Sequence, residues 1–267
     1  MKYTNTEKLK KIQLDPNNYY VVLDFDKTIT SKESLDSWMA VLDFEIYGQT
    51  CRKEIEKINA KYAPIELDYT LTREEKEKYM TEWYAKSMDF LYEYQLTYTN
   101  LKKALQKEPI KFREGAKEFM QKLQQDNIPV IILSAGIGNV IQEFLKEQKC
   151  YSSNVHIISN FIEFEKDKMQ PFNKPIIHSM NKNLTGKLVE EVQSILEQKD
   201  YAILCGDLIE DIQMLPKEKE QTTIRVGFLN SNIEQNWELY QKNYDIVLTE
   251  EEATFQEVEK IIKERKR

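Results

Sequence analysis

The chain has 267 residues, with 38 Lys and Arg against 45 Asp and Glu, a formal net charge of −7. That length makes one or two domains with a sizeable core, and 41% hydrophobic against 31% charged residues excludes a disordered chain. The acidic balance argues against non-specific nucleic-acid binding, no apolar run of about 18 residues would span a membrane, and residues 1–15 (MKYTNTEKLKKIQLD) lack the apolar stretch of a signal peptide.

Short β-branched apolar runs punctuate the chain and predict buried strands: residues 19–25 (YYVVLDF), 128–134 (IPVIILS), 155–158, 201–205 (YAILC), 223–228 and 244–248 (YDIVL). Helical patterns lie between them, over residues 138–147, residues 184–198 and after Ser231-Asn232-Ile233-Glu234, which spells a capping box. Strands alternating with helices predict an α/β fold with a doubly wound parallel sheet. The exception is residues 31–109, which carry no convincing strand. There Thr72-Arg73-Glu74-Glu75 is a second capping box, opening a helix with Tyr79, Met80, Trp83, Ser87, Phe90, Leu91 and Tyr94 along one side. Such a stretch is far too long for a strand-to-helix connection, typically 2–6 residues. It is expected to be a helical insertion, placed over the C-terminal end of the first strand, where open α/β sheets bind ligands.

Three strand-end signals, and one lysine that is uninformative by itself, are candidates to carry chemistry. In Asp24-Phe25-Asp26-Lys27-Thr28-Ile29-Thr30, an apolar strand ends in aspartates two residues apart, on one side of the strand. Carboxylates so crowded repel unless a cation sits between them, and an oxygen-only set suits Mg²⁺. In Ser134-Ala135-Gly136-Ile137-Gly138 a hydroxyl ends the second strand before small residues and a helix start, a place where backbone N–H groups gather an anion. A dinucleotide fingerprint fails there, because Ile141 stands where the third glycine belongs. Lys182, in Asn181-Lys182-Asn183, precedes a helical pattern. Finally, Gly206-Asp207-Leu208-Ile209-Glu210-Asp211 ends a strand in two carboxylates, with Asp207 at a helix start and Asp211 about one turn on. Cys51, Cys150 and Cys205 are scattered, which fits unpaired thiols in a reducing cytoplasm, and with only His156 and His178 a zinc site is not expected.

In this order the four signals resemble the haloacid dehalogenase (HAD) superfamily of phosphohydrolases. Longer strings resemble the cytosolic type III pyrimidine 5′-nucleotidases: YAPIELDYTLTREEKEKYMTEWYAKS (residues 62–87), LSAGIGNVIQEF (133–144), NVHIISNFIEFE (154–165), IIHSMNK (176–182), and VGFLN followed by NYDIVL. The resemblance implies a Rossmann-like HAD core of residues 1–30 and 110–267, with an inserted α-helical cap of the C1 type at residues 31–109. It implies a Mg²⁺-dependent nucleoside 5′-monophosphatase acting on UMP and CMP, cytoplasmic, a monomer or weak homo-oligomer, with no nucleic-acid or membrane partner. Asp24 would be the nucleophile that forms an aspartyl-phosphate. Asp26 would be the general acid and base. Mg²⁺ would lie on Asp24, the Asp26 carbonyl and Asp207, with Asp211 in support. Ser134, the Ala135 N–H and Lys182 would hold the phosphoryl oxygens. Glu66 would contact the base. Trp38 falls where the family's vertebrate pyrimidine enzymes carry a different stretch, and it is either a stacking platform, favouring a purine or modified purine, or a cap-core residue. Two alternatives stay open: a HAD phosphatase for another small ester such as a phosphorylated amino acid, and a non-catalytic nucleotide-binding protein.

Overall fold

The computed structural model describes residues 2–42, 44–107, 110–183 and 190–266. Its main sheet contains β1 (Lys2–Tyr3), β2 (Tyr19–Leu23), β3 (Val130–Ile137), β4 (Val155–Asn160), β7 (Tyr201–Gly206), β8 (Thr223–Leu229) and β9 (Ile246–Thr249), and a separate hairpin pairs β5 (Phe164–Glu165) with β6 (Lys168–Met169). The sheet order is β1-β9-β8-β7-β2-β3-β4, parallel except for β1, which joins the edge antiparallel to β9.

Every residue of β2 is buried, so its side chains divide between two cores. Tyr19, Val21 and Leu23 join one cluster with Phe119 and Met120 of α5 (Ala116–Gln125), Val140 and Phe144 of α6 (Gly138–Glu147) and Phe255 and Val258 of α9 (Phe255–Lys263). Tyr20 and Val22 face the other way, against Val192 of α7 (Glu190–Gln198) and Tyr240 of α8 (Ile233–Asn243). A sheet covered on both faces is the doubly wound arrangement. From β2 the chain winds outward through β3 and β4, then returns to β7 on the other side of β2. That reversal makes β2 the switch point, and ligands collect at the strand C-termini there.

Between β2 and β3 lie α2 (Phe44–Glu66), α3 (Arg73–Glu93) and α4 (Tyr98–Lys107); α1 (Thr6–Lys11) precedes β2. Helix α2 is kinked at Gly48, whose φ of +81° suits only glycine comfortably. Helix α3 opens on the expected capping box: the Thr72 side chain accepts from the Glu75 N–H while Glu75 accepts from the Thr72 N–H. Tyr62, Met80, Tyr84 and Met180 form a third small core, with Trp38 and Trp83 packed on it.

Several expectations are corrected. Tyr79 is 40% exposed and leaves the α3 stripe, which runs instead through Lys76, Met80, Tyr84, Ser87 and Leu91. The second core strand does not stop at Ser134 but continues through a register shift to Ile137. Helix α8 starts at the expected place without a capping box; its N-cap, Asn232, sits at φ +49° with no side-chain bond. Of the helix expected over residues 184–198, residues 184–189 lie outside the described residues. The β1 edge and the β5–β6 hairpin carry too few residues to show as periodic patterns.

Candidate active site

The tips of β2, β3, β7 and β8 meet at one edge of the sheet, around a cavity of ≈ 590 Å³. Asp24 follows the last residue of β2, and its backbone N–H donates to the Cys205 carbonyl on β7. The chain then turns through Lys27, which takes the left-handed conformation at φ +60°. Buried Arg113 holds that turn: Nε donates to the Thr28 carbonyl (2.8 Å), Nη2 to the Lys27 carbonyl and to Asn230 Oδ1 (2.9 Å), and Nη1 to the Ala253 carbonyl (3.0 Å). Its guanidinium also stacks over Phe228. We expect Arg113→Ala to lower stability by about 3 kcal/mol, because several buried carbonyls lose a charged donor at once. The urea midpoint checks this; an unchanged midpoint would remove the clamp.

Carboxylate oxygens of Asp24, Asp207 and Asp211 lie within 4.8 Å of one another. Buried Lys182 donates to Asp24 Oδ1 and to Asp211 Oδ1 (2.7 Å). The other Asp211 oxygen accepts from the N–H groups of Asp207 (2.9 Å) and Leu208 (3.0 Å). So Asp207 does not cap a helix; Asp211, within the short turn Ile209–Met214, reaches back to cap the strand end. Gly206 has to be glycine, since a Cβ there would overlap the Asp211 side chain. Burial, then the charges of Asp24 and Asp211, push the Asp207 carboxyl well above the usual carboxylate range. Burial also raises Asp24, against Lys182. Lys182 pays a burial cost of its own, but Asp211 and Asp24 outweigh it and hold it firmly charged.

Asp26 does not join that trio of carboxylates. Its oxygens accept from the Ser37 N–H (2.8 Å) and the Ser37 hydroxyl (2.7 Å). Burial, then the negative charge of Asp36, push Asp26 up to about 7 against those two donors. Ser134 is buried, and its Oγ accepts from the Gly136 N–H (3.0 Å). Ser134, Ala135, Lys182 and Asp207 all line the cavity.

The opposite wall comes from residues 36–91. Glu66, at the end of α2, lines the cavity, and burial raises its carboxyl while the neighbouring Ser179 hydroxyl offsets part of the rise. Its backbone carbonyl accepts from buried Lys76 (2.8 Å), which also pairs with Glu210 at 3.3 Å. Trp38 lines the cavity and also packs on the third core. Its Nε1 donates to the Ala135 carbonyl (3.2 Å), and its ring meets Tyr84 edge-on at 5.4 Å. Tyr69, Trp83 and Tyr84 complete an aromatic side of the cavity. Ser37, Lys76, Arg113 and Asn230 escape a reading of the sequence, as single residues of common types outside any strand-end pattern.

The protein family described as pyrimidine 5′-nucleotidase (UMPH-1) matches the chain over residues 5–265. A human 7-methylguanosine phosphate-specific 5′-nucleotidase is 34% identical over 240 residues, 87% of this chain and 80% of that protein. Its Drosophila melanogaster counterpart is 30% identical over 246 residues, 89% of this chain and 77% of that one. The crystal structure of cytosolic 5′-nucleotidase IIIB bound to cytidine superposes with a TM-score of 0.81 at 28% identity, covering 98% of this chain and 90% of the other. Substrate-bound phosphoserine phosphatase superposes at 0.60 with 17% identity, covering 93% of this chain and 100% of the other, a likeness of fold alone. Among the described residues no helix is long and apolar enough to cross a membrane. Sequence match along nearly the whole chain and the shared α/β architecture converge: the chain belongs to the pyrimidine 5′-nucleotidase (UMPH-1) family of HAD-fold phosphoric monoester hydrolases.

Proposed function

We propose that the chain hydrolyses nucleoside 5′-monophosphates whose base offers an exocyclic amine, CMP among the pyrimidines and 7-methylguanosine monophosphate among the purines. The observation that carries this is Glu66, a carboxylate lining the same cavity as Asp24. A carboxylate accepts from an amine edge and repels a carbonyl edge, so UMP is expected to be the poorer pyrimidine. The purine reading rests on the aromatic side formed by Trp38, Tyr69, Trp83 and Tyr84, because aromatic faces attract a cationic methylated base. The names of the curated relatives support it too.

In this reading residues 1–30 and 110–267 form the catalytic core and residues 31–109 the substrate-selecting cap. Asp24 attacks phosphorus and carries the aspartyl-phosphate. Asp26 gives its proton to the leaving ribose oxygen and then takes one from the attacking water; a carboxyl lifted to about 7 can do both near neutral pH. Ser134 and the Ala135 N–H hold phosphoryl oxygens, and Lys182 keeps a fixed positive charge beside Asp24. Buried Asp24 and Asp211 share one lysine and half-buried Asp207 lies beside them, an excess of negative charge with oxygen donors only, which fits a magnesium ion on Asp24, Asp207 and the Asp26 carbonyl. When bound, that ion would neutralise charge between the carboxylates and the phosphate. Asp211, with one oxygen on Lys182 and the other on two N–H groups, supports the site rather than facing the ion.

The test is phosphate release from CMP, UMP, 7-methylguanosine monophosphate, GMP and phosphoserine, in Mg²⁺ and in EDTA. Turnover of CMP and of the methylated nucleotide is expected in Mg²⁺ and none in EDTA. Glu66→Gln should cost these two substrates about 10- to 100-fold in kcat/KM, the worth of one charged hydrogen bond, and leave p-nitrophenyl phosphate unaffected. Equal losses on every ester would remove Glu66 as the base contact, and phosphoserine as the best substrate would overturn the nucleotide reading.

A further inference from the structure

Asp26 is held by one residue from the opposite wall of the cavity. Both of its oxygens accept from Ser37, one from the backbone N–H at 2.8 Å and one from the hydroxyl at 2.7 Å. The Ser37 hydroxyl is fixed in turn, accepting from the Ile137 N–H at 3.2 Å, and Ser37 is fully buried. Gly136 completes the seat. A Cβ there would overlap the Ser37 hydroxyl and lie 2.8 Å from Asp26 Oδ2, so only glycine lets the two side chains meet. A carboxylate has about four lone-pair positions; Ser37 occupies two and leaves the others for a proton facing the cavity that Asp26 lines. On either side, the Asp36 carboxylate caps the Met39 N–H (2.8 Å) and the Trp38 indole bonds the Ala135 carbonyl.

We propose that Ser37 is a positioning residue for the proton transfer to the leaving oxygen: it sets where Asp26 presents its proton, and its neighbour Trp38 ties that placement to the wall that meets the base. The inference rests on Asp26 acting as the general acid. Ser37 touches no substrate atom in this role; it acts through Asp26. A ribose alkoxide cannot leave without a proton, whereas p-nitrophenolate leaves without one. Loss of a purely structural serine would slow both esters alike. Loss of a positioning serine slows phosphoryl transfer to Asp24 only from the ester that needs the proton; the later attack of water, where Asp26 takes a proton, is common to both esters.

The experiment measures leaving-group release in the first turnover, before the aspartyl-phosphate hydrolyses, and compares the parent, Ser37→Ala, Asp26→Asn and the double variant on CMP and on p-nitrophenyl phosphate, with saturating Mg²⁺ and melting temperatures recorded. Ser37→Ala is expected to lower the first-turnover rate on CMP about 10- to 100-fold, the usual cost of misplacing a catalytic group by about 1 Å, with under about 3-fold loss in that rate on the nitrophenyl ester. In the Asp26→Asn background the same change should add little, since the two residues act as a unit. Equal losses on both esters, or full additivity with Asp26→Asn, would overturn the proposal. If Asp26→Asn itself fails to separate the two esters, the general-acid reading falls. If Asp26→Asn separates them and Ser37→Ala does not, the role of Ser37 alone falls.

Discussion

Asp24→Asn is expected to abolish phosphate release while leaving a folded protein. The side chain keeps its shape and still offers an oxygen to Lys182, but an amide is no nucleophile. Removing the nucleophile from a covalent catalyst costs on the order of 10⁴- to 10⁶-fold in kcat, which would leave turnover near the detection limit for every ester. The folded state should suffer little. Asp24 is a buried carboxyl already held above its ordinary range by burial and by the charge of Asp211, so a neutral amide relieves repulsion as it weakens the bond to Lys182. Lys182 keeps Asp211 as a partner at 2.7 Å. The decisive pair of measurements is kcat and covalent phosphate trapped on acid quenching of a labelled substrate: both present in the parent, both absent in the variant. A variant with parent-like kcat would show that phosphorus is attacked by something else and would unseat the assignment of Asp24.

The strand-end chemistry was legible because a strand fixes direction. An apolar run has to point somewhere, and the first polar residue past it stands at the sheet edge. The residues at the ends of β2, β3 and β7 were therefore readable as neighbours, and the structure places carboxylate oxygens of Asp24, Asp207 and Asp211 within 4.8 Å. Lys182 was visible only through resemblance, since nothing in Asn181-Lys182-Asn183 points to a site. Ser37 and Arg113 were not legible at all. Each acts across the fold on groups far away in sequence, Ser37 on Ile137 and Arg113 on Ala253 and Asn230, and no local period encodes such a contact. The overrun of β3 past Ser134 has a similar cause. Small residues and glycine read as a turn, yet here glycine serves close packing against Ser37 within a strand that shifts register. Tyr79 fails for a different reason. Helical periodicity gives a stripe only to within about a residue, and a tyrosine at its border is as readily outside as inside. The buried residue one turn earlier is Lys76, whose ammonium has the Glu66 carbonyl and Glu210 to meet.

Lys182→Met is expected to give the second large effect, and one that separates charge from shape. Methionine fills much of the same volume and lacks the ammonium. In the parent, that ammonium bonds both Asp24 and Asp211, all three out of solvent or nearly so, while half-buried Asp207 lies alongside. Removing one partner of a buried ion pair typically costs 3–5 kcal/mol, because the carboxylates left behind repel one another and have lost their water. The site has one escape, which is to bind protons. A carboxyl whose folded pKa lies above its unfolded value favours folding while it is protonated, and that contribution is lost as pH rises through the folded value. Asp24 and Asp207 are both raised with Lys182 in place, and without it they rise further. The destabilisation of Lys182→Met measured in EDTA should therefore be small near pH 5 and grow towards pH 8. A divalent cation offers the other escape, so Mg²⁺ should raise the variant's melting temperature more than the parent's, by mass action on the folded state. Activity is not recovered with stability. Under the proposed mechanism the phosphoryl oxygens still lack their fixed positive charge, and kcat is expected to stay about 10²- to 10³-fold down, as when one charged or hydrogen-bonding stabiliser of a transition state is lost. Urea unfolding at the two pH values, with EDTA and with Mg²⁺, reads all of this. A loss of stability independent of both pH and Mg²⁺ would mean that Lys182 contributes packing alone, and the electrostatic account of the carboxylate cluster would fail with it.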